Sequence, residues 1–125
     1  VDNANDFMIL KGSAAPYNGS MWLMNTGARK KVYNDFDALQ SPAIAGQQKM
    51  ENGRFFHGSD QAWISYKIPG EKTWSEQDGI YQYVYDIKDR VIPDNAKIVF
   101  FAGGEKPWSN QVFTQLQGIY NQYAA

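Results

Sequence analysis

The longest apolar run in this 125-residue chain has only five residues, Ile98 to Ala102. A helix that crosses a bilayer needs about 20 such residues, so the sequence contains no membrane span. Apolar runs of four or five residues, bounded by polar and turn residues, are typical of short buried strands. The length suits one domain over residues 1–125, because a second core would leave both cores too small.

The composition excludes several classes of site. The chain has 12 Lys and Arg and 13 Asp and Glu, which give a net charge of −1. This charge gives no reason to expect nucleic-acid binding, which depends on clustered basic residues. Cysteine is absent, which excludes disulfides and thiolate metal sites but leaves the compartment open; we favour the cytoplasm. His57 is the only histidine, so no site can use two imidazoles. Aromatic residues are 15% of the chain, and we expect some of them to line a surface or a cleft.

Four segments have the pattern of β-strands. They are Phe7 to Leu10, Ser20 to Met24, Ile80 to Tyr85 and Lys97 to Phe101. The second is almost continuously apolar, so we expect it to be buried on both faces. Two segments are predicted as loops, Gln40 to Phe56 with one helical turn at Ala45 to Met50, and the polar segment Glu71 to Gly79.

Three segments are predicted as helices. Ala28 to Leu39 has an apolar stripe. Asp60 to Lys67 follows an N-cap hydroxyl at Ser59 and ends before Pro69. A final helix is capped by Ser109, with an apolar face of Val112, Phe113, Leu116, Ile119, Tyr120 and Tyr123. The fold class is therefore α/β, a mixed sheet of about four to five strands with three helices.

Two short motifs are better explained without a function. Asp35-Phe36-Asp37 matches the letters of a D-x-D metal motif, but residues two apart on a helix point about 200° apart, which favours a solvated surface. Asn18-Gly19-Ser20 spells a glycosylation sequon, and we reject it because it leads into a strand expected to be buried.

Three other features have both a functional and an ordinary interpretation. His57 is a general base or a structural residue of a loop. Asp60 and Gln61 place a carboxylate and an amide at the mouth of a cleft, or are ordinary residues of a first helical turn. The segment Gly103 to Trp108 presents flexible backbone and Lys106 after a strand, which suits a diphosphate, or is a simple glycine turn.

Three segments in this order resemble retaining glycosyltransferases of the GT-A fold, the group that includes glycogenin and the lipopolysaccharide galactosyltransferases. Tyr17 to Asn25 looks like the F-N-S-G-V-x-L-x-N strand of that group, with Gly and Ser exchanged. Asp60 to Ser65 is similar to its D-Q-x-x-L-N helix start, and Phe100 to Trp108 to its H-x-x-G-x-x-K-P-W ending.

The resemblance implies a hexosyltransferase with a nucleotide-sugar donor and a saccharide acceptor. It places Asp60 and Gln61 at the reacting sugar as catalytic residues. The substrate-binding candidates are Asn18, Gly19, Ser20, His57, Trp63, Gly103, Gly104, Lys106 and Trp108, with Gly103 and Lys106 on the diphosphate.

The sequence departs from the family pattern in two places, at a metal-binding position and before the first strand. Phe100 stands where the family has a metal-binding histidine, and the D-x-D strand and nucleotide-binding half should precede Phe7. The chain therefore resembles the C-terminal portion of a GT-A domain. We expect no metal site and no activity in this chain alone, although the complete family domain implies Mn²⁺ or Mg²⁺.

A half-domain of this kind exposes a sheet edge and an apolar face, so we expect self-association into a homo-oligomer. A second function stays open beside glycosyl transfer. The chain is alternatively a non-catalytic carbohydrate-binding, nucleotide-binding or assembly module that uses exposed rings at Trp63, Trp74 and Trp108.

Overall fold

The computed structural model describes residues 6–87, 91–101, 106–108, 118–119 and 121–122. The chain forms two compact units, one ending at Trp74 and one beginning at Ser75. The predicted α/β class is confirmed. The described strands form two sheets, of three and two strands, rather than one. Four short α-helices lie within residues 6–87, in addition to the helical residues 118–119 and 121–122.

The sheet of the first unit is built around its first strand. β1 (Phe7–Lys11) pairs antiparallel with β2 (Tyr17–Met24) and parallel with β3 (Thr73–Trp74). β1 is central because its short apolar run is buried, as the sequence predicts. β3 lies in the segment Glu71 to Gly79, which is predicted as a polar loop. Its two residues pair with β1, and the second of them, Trp74, is the last residue of the first unit.

β2 is irregular and lies at the edge of the sheet formed by the described strands. Ile9 pairs with Trp22 but the next residue, Leu10, pairs with Asn18, so residues 19–21 form a bulge without partners on β1. Trp22 and Leu23 are exposed at 44% and 64%. The prediction that this strand is buried on both faces is wrong, because an apolar run does not distinguish an edge strand from a central one.

Helix α1 covers only Lys31–Asn34, far less than the predicted Ala28 to Leu39. Asp37 Oδ1 accepts hydrogen bonds from the backbone of Leu39 and Gln40, and these local bonds compete with helix formation. Leu39 of the predicted apolar stripe is consequently 89% exposed.

Helix α2 (Ser41–Gly46) lies within the predicted loop and begins earlier than the turn expected at Ala45 to Met50. Its second residue is Pro42, which is favoured in the first turn of a helix because its fixed φ suits that position.

Helix α3 (Ser59–Lys67) agrees with the prediction to within one residue. Its N-cap residue is Gly58, with φ +92°, one position before the cap predicted at Ser59. The helix ends at Lys67, with Ile68 as its C-cap before Pro69. Ile64 and Ile68 pack in one core cluster with Phe7, Ile9 and Tyr17.

Tyr17 joins the start of β2 to the end of α3. Its hydroxyl donates to the Ile68 carbonyl at 2.8 Å and accepts from the Glu71 amide at 2.7 Å. Its own amide donates to Ser65 Oγ at 3.1 Å. Burial raises the pKa of the Tyr17 phenol, since the charged form would be desolvated.

Arg29 forms a second link within the first unit. Its guanidinium makes a bidentate pair with Glu71 and a 2.9 Å contact with Asp6, and it lies 5.3 Å from the Phe7 ring centroid. The hydrogen bonds with Glu71 raise the pKa of this buried guanidinium further. Arg29 has φ +54°, an uncommon conformation for a non-glycine residue, which its hydrogen bonds to two carboxylates offset.

The second unit contains a 3-10 helix (Glu76–Asp78), β4 (Ile80–Gln82), α4 (Tyr83–Asp86) and β5 (Ile98–Phe100). β4 and β5 pair in parallel. The strand predicted to reach Tyr85 ends at Gln82, whose amide donates to Asp86 Oδ2 at 2.7 Å and starts a helical turn. Phe101 stacks on Tyr83 at 4.9 Å within the core of this unit.

The predicted C-terminal helix lies mostly outside the described residues. Residues 118–119 and 121–122 are helical, while Ser109 and most of the predicted apolar face are among the residues left outside. Ile119, the one described member of that face, is exposed at 44%. None of the helices in the described ranges is long and apolar enough to cross a membrane.

Tyr17→Phe should lower the free energy of unfolding by about 1–3 kcal/mol, because it leaves a buried amide and carbonyl without their partner. The raised pKa means that the folded state holds the phenolic proton more tightly than the unfolded chain. This stabilisation is complete below about pH 10 and is lost as the pH rises through the folded-state pKa. Urea denaturation at pH 7 and at rising pH measures both effects.

Tyr33→Phe is the matched control, since Tyr33 is 86% exposed. It should leave stability unchanged at pH 7. Equal losses for the two variants would contradict the role given to the Tyr17 hydroxyl.

Candidate functional site

The β2 bulge and the first turn of α3 meet at Gly19 and Asp60. A methyl group placed on Gly19 would lie 2.6 Å from Asp60 Oδ2, closer than carbon and oxygen can approach without displacement. Only glycine leaves room for the carboxylate in its present position. The structure thus brings together residues from two of the segments that carry the family resemblance.

The Asp60 carboxylate has no hydrogen bond or ion pair with any described residue. The side chain is exposed in the first turn of α3, where the free amides of the helix favour a negative charge. An ionised carboxylate is an acceptor only, with about four lone-pair sites. Its capacity to accept hydrogen bonds is therefore open to a ligand that carries hydroxyl groups.

Asp60 borders a cavity of about 330 Å³, which we call the first cavity. It is lined by Gly19, Trp22, Val32, Phe36, Pro42, Asp60, Trp63 and Ile64. Asp60 is the only charged residue in this set, and three of the others are aromatic. Apolar walls with a small number of convergent polar groups are the usual character of a small-molecule site.

Trp63 forms a fixed wall of the first cavity. It is 6% exposed, and its Nε1 donates to the Val32 carbonyl at 2.7 Å. Its ring meets Phe36 edge to face at 5.8 Å. The interpretation of Trp63 as an exposed ring is wrong, because α3 turns it into the core; Trp74 is half-buried in β3.

Gln61 and His57 brace the loop before α3. Gln61 Nε2 donates to the His57 carbonyl at 2.7 Å, and the His57 amide donates to the Ala14 carbonyl at 2.8 Å. A side chain at Gly58 would collide with Gln61, which adds to the constraint from its positive φ. Neither Gln61 nor His57 lines the first cavity. His57 is exposed, and its part in catalysis stays a prediction.

Asn18 and Ser20 shape the bulge. Asn18 Oδ1 accepts from the Ser20 amide at 2.9 Å, which satisfies a backbone donor that has no partner on β1. Ser20 is exposed. The sequon is rejected because the strand is expected to be buried, and that reason does not hold at Ser20. The hydrogen bond between Asn18 and Ser20 explains the motif as a turn.

The third segment lies in the second unit. Lys106 Nζ donates to the Phe101 carbonyl at 3.1 Å, Phe100 is half-buried in β5, and Trp108 is exposed at 63%. Gly103 and Gly104 lie outside the described residues. The diphosphate role of this segment stays a prediction.

No cluster of three or more potential metal ligands occurs within the described ranges. Asp35 pairs with Lys67, while Asp37 accepts from backbone amides of its own turn. The two carboxylates of the D-x-D letters thus have separate partners.

Trp22 and Phe36 are cavity residues that sequence reasoning did not select. Trp22 is inside the strand that carries the first part of the resemblance, so its position beside Gly19 was a usable signal. Phe36 belongs to the apolar stripe of the predicted helix but lies beyond the end of α1, and nothing in its sequence neighbourhood indicates a cavity wall.

Comparison with models of protein families, with curated proteins and with solved structures finds no match for this chain. Its function is therefore inferred from the first cavity and from the resemblance of the three segments.

Gly19→Ala should displace the Asp60 carboxylate with little effect on stability. The atom that it would meet is the end of a rotatable side chain, so the free energy of unfolding should change by less than about 1 kcal/mol. The carboxyl carbon shift of Asp60 in NMR spectra reports the displacement, and urea denaturation reports the stability.

The matched control is Gly12→Ala, where the new methyl group would lie 2.2 Å from the backbone oxygen of Ala15. Backbone cannot swing aside as a carboxylate can, so this variant should be destabilised by roughly 1–3 kcal/mol or more. An unmoved Asp60 signal in Gly19→Ala would contradict the close approach.

Proposed function

We propose that this chain is the sugar-binding part of a glycosyltransferase that moves a hexose from a nucleotide-sugar donor to a saccharide acceptor. The observation that supports it best is the Asp60 carboxylate, which has no partner among the described residues and lies against Gly19 at the border of an aromatic-walled cavity. A second copy of this chain is a further partner that the proposal includes, since β2 exposes apolar side chains at a sheet edge.

The lining of the first cavity suits a sugar ring. A pyranose has apolar C–H faces and a rim of hydroxyl groups, so it needs both apolar walls and hydrogen-bond acceptors. Trp22 and Phe36 supply ring surface, and Asp60 supplies the acceptor. The cavity volume of about 330 Å³ is at the lower end of the range for small-molecule sites, which limits the occupant to a compact ligand.

The same carboxylate suits the chemistry of glycosyl transfer. When the bond between the anomeric carbon and the phosphate oxygen breaks, its electron pair leaves with the diphosphate and positive charge grows on the sugar. A fixed carboxylate nearby stabilises that charge. The acceptor hydroxyl oxygen then bonds to the anomeric carbon, and its proton passes to the departing diphosphate. Retention of configuration is what the family resemblance implies.

A divalent cation is implied only for the complete family domain. Phe100, at the position of the family histidine, carries no ligand atom, and the described residues hold no cluster of ligands. The residues present do not fit a metal, so none of the steps above is routed through one.

The second candidate is a binding module without transferase activity, and the loss of the family histidine at Phe100 favours it. The two candidates share the first cavity and differ in turnover. Hydrolysis of a nucleotide sugar by this chain in the presence of Mn²⁺ or Mg²⁺ would favour the transferase and contradict the module. Binding without turnover is expected of the module and also of a transferase portion that is inactive alone.

Asp60→Asn should weaken nucleotide-sugar binding about tenfold, because it removes the charge from hydrogen bonds worth about 1.5–3 kcal/mol. Calorimetric titration with a panel of nucleotide sugars measures the affinity. The fold should be unchanged, since Asp60 is exposed and makes no contact with another charged group among the described residues.

Glu51→Gln is the matched control in the same unit. Glu51 is exposed in a turn and does not line the first cavity. Equal losses of nucleotide-sugar affinity in the two variants would show that only the net charge of the chain matters, and not the position of Asp60. If no nucleotide sugar binds to the unmodified chain, the proposed function is wrong.

Lys106→Ala should weaken the binding of a nucleoside diphosphate by about ten- to a hundredfold, since it removes a charge-assisted hydrogen bond of roughly 1.5–3 kcal/mol. Lys97→Ala is the control, because Lys97 is an exposed lysine that precedes β5, the strand after which Lys106 follows. Titration of both variants with the same nucleotide compares them. Equal losses of nucleotide affinity in the two variants would contradict the proposal that the segment from Gly103 to Trp108 binds the diphosphate.

A further inference from the structure

A second cavity of about 220 Å³ lies beside the first and is formed within the same unit. It is lined by Trp22, Met24, Gly27, Ala28, Arg29, Lys30, Val32 and Tyr33. Trp22 and Val32 line both cavities, so they form a shared wall. A ligand in either cavity is therefore in contact with the same tryptophan.

The charged residues that line the two cavities differ in sign. Asp60 is the only charged residue in the lining of the first, whereas the lining of the second includes Arg29 and Lys30. Arg29 is engaged by two carboxylates, Glu71 and Asp6, which do not line the cavity and leave this group of three with a net charge of −1. Lys30 is therefore the lining residue whose positive charge a ligand can use.

The Lys30 side chain is folded against the cavity wall. Its Cε would lie 3.1 Å and its Nζ 3.7 Å from a methyl group on Gly27, where φ is +82°. Lys30 is exposed and has no ion pair with any described residue. Its ammonium is therefore placed at the cavity by its own backbone turn, with donors open to a ligand.

The size of the second cavity limits what it can hold. Drug-sized ligands occupy pockets of roughly 300–1,000 Å³, and 220 Å³ is below that range. A single sugar ring is an occupant of suitable scale, with Trp22 and Tyr33 as aromatic surface for its C–H face. An anionic substituent on that ring would complement Lys30.

We propose that the second cavity binds the acceptor sugar and that this sugar is acidic, carrying a carboxylate that pairs with Lys30. This inference rests on the proposed glycosyltransferase function. Transfer requires the two sugars to be held side by side, and a shared tryptophan wall gives that arrangement. Asp60 repels an acidic sugar from the first cavity and Lys30 attracts it to the second, so charge sorts the two substrates.

Methyl glucoside and methyl glucuronide are the probes, because they differ in one charged group. Titrations followed through the indole N–H signal of Trp22 report occupation of either cavity. Lys30→Gln should weaken glucuronide binding about two- to fivefold, as expected for an exposed ion pair, and leave glucoside binding unchanged. The loss should shrink as salt is added.

Lys31→Gln is the matched control, since Lys31 is the next residue, is exposed and lines neither cavity. An equal loss of glucuronide affinity in this variant, or no loss in Lys30→Gln, would overturn the inference. If the glucoside shifts the Trp22 signal and the glucuronide does not, the acidic acceptor site is wrong and the proposed function stands. If neither sugar shifts it, the acceptor site is wrong, and the titration with nucleotide sugars decides the proposed function separately.

Discussion

The candidate site depends on the Tyr17 hydroxyl, which bonds to the backbone at Ile68 and Glu71. These contacts hold the beginning of β2 to the end of α3, 51 and 54 residues further along the chain. With the Tyr17 amide also bonded to Ser65, the strand lies along the helix with little freedom to slide. The bulge that follows Tyr17 is thereby held over the first turn of α3, which carries Asp60.

The bulge explains why Asn, Gly and Ser occur in this order. Asn18 accepts from the Ser20 amide and stabilises the departure from β1, and Gly19 supplies the space that the Asp60 carboxylate occupies. Each residue type has a separate physical task at its position. The same three letters also spell a modification signal, which shows why a short motif needs its local geometry before it indicates a function.

Sequence reasoning succeeded where one local signal determines the structure. β1 is a short apolar run between polar residues, and α3 is bounded by Gly58 and Pro69. It failed where two signals compete. The apolar spacing after Ala28 favours a helix, but the Asp37 carboxylate accepts hydrogen bonds from the backbone amides of Leu39 and Gln40, which a longer helix would use. Arg29 was also missed, because its carboxylate partners come from distant positions and leave no local pattern.

Trp22 is exposed at 44% beside the exposed Leu23 and Met24, and contiguous apolar surface of this kind is typical of ligand and partner sites. The ring is nevertheless supported from behind, since it meets Phe7 edge to face at 6.1 Å, and Phe7 lies in turn beneath the Arg29 guanidinium. A wall fixed by the core loses little conformational freedom when a ligand binds. Specificity between the two cavities therefore depends on the charged groups at their borders, Asp60 and Lys30, rather than on movement of the wall that they share.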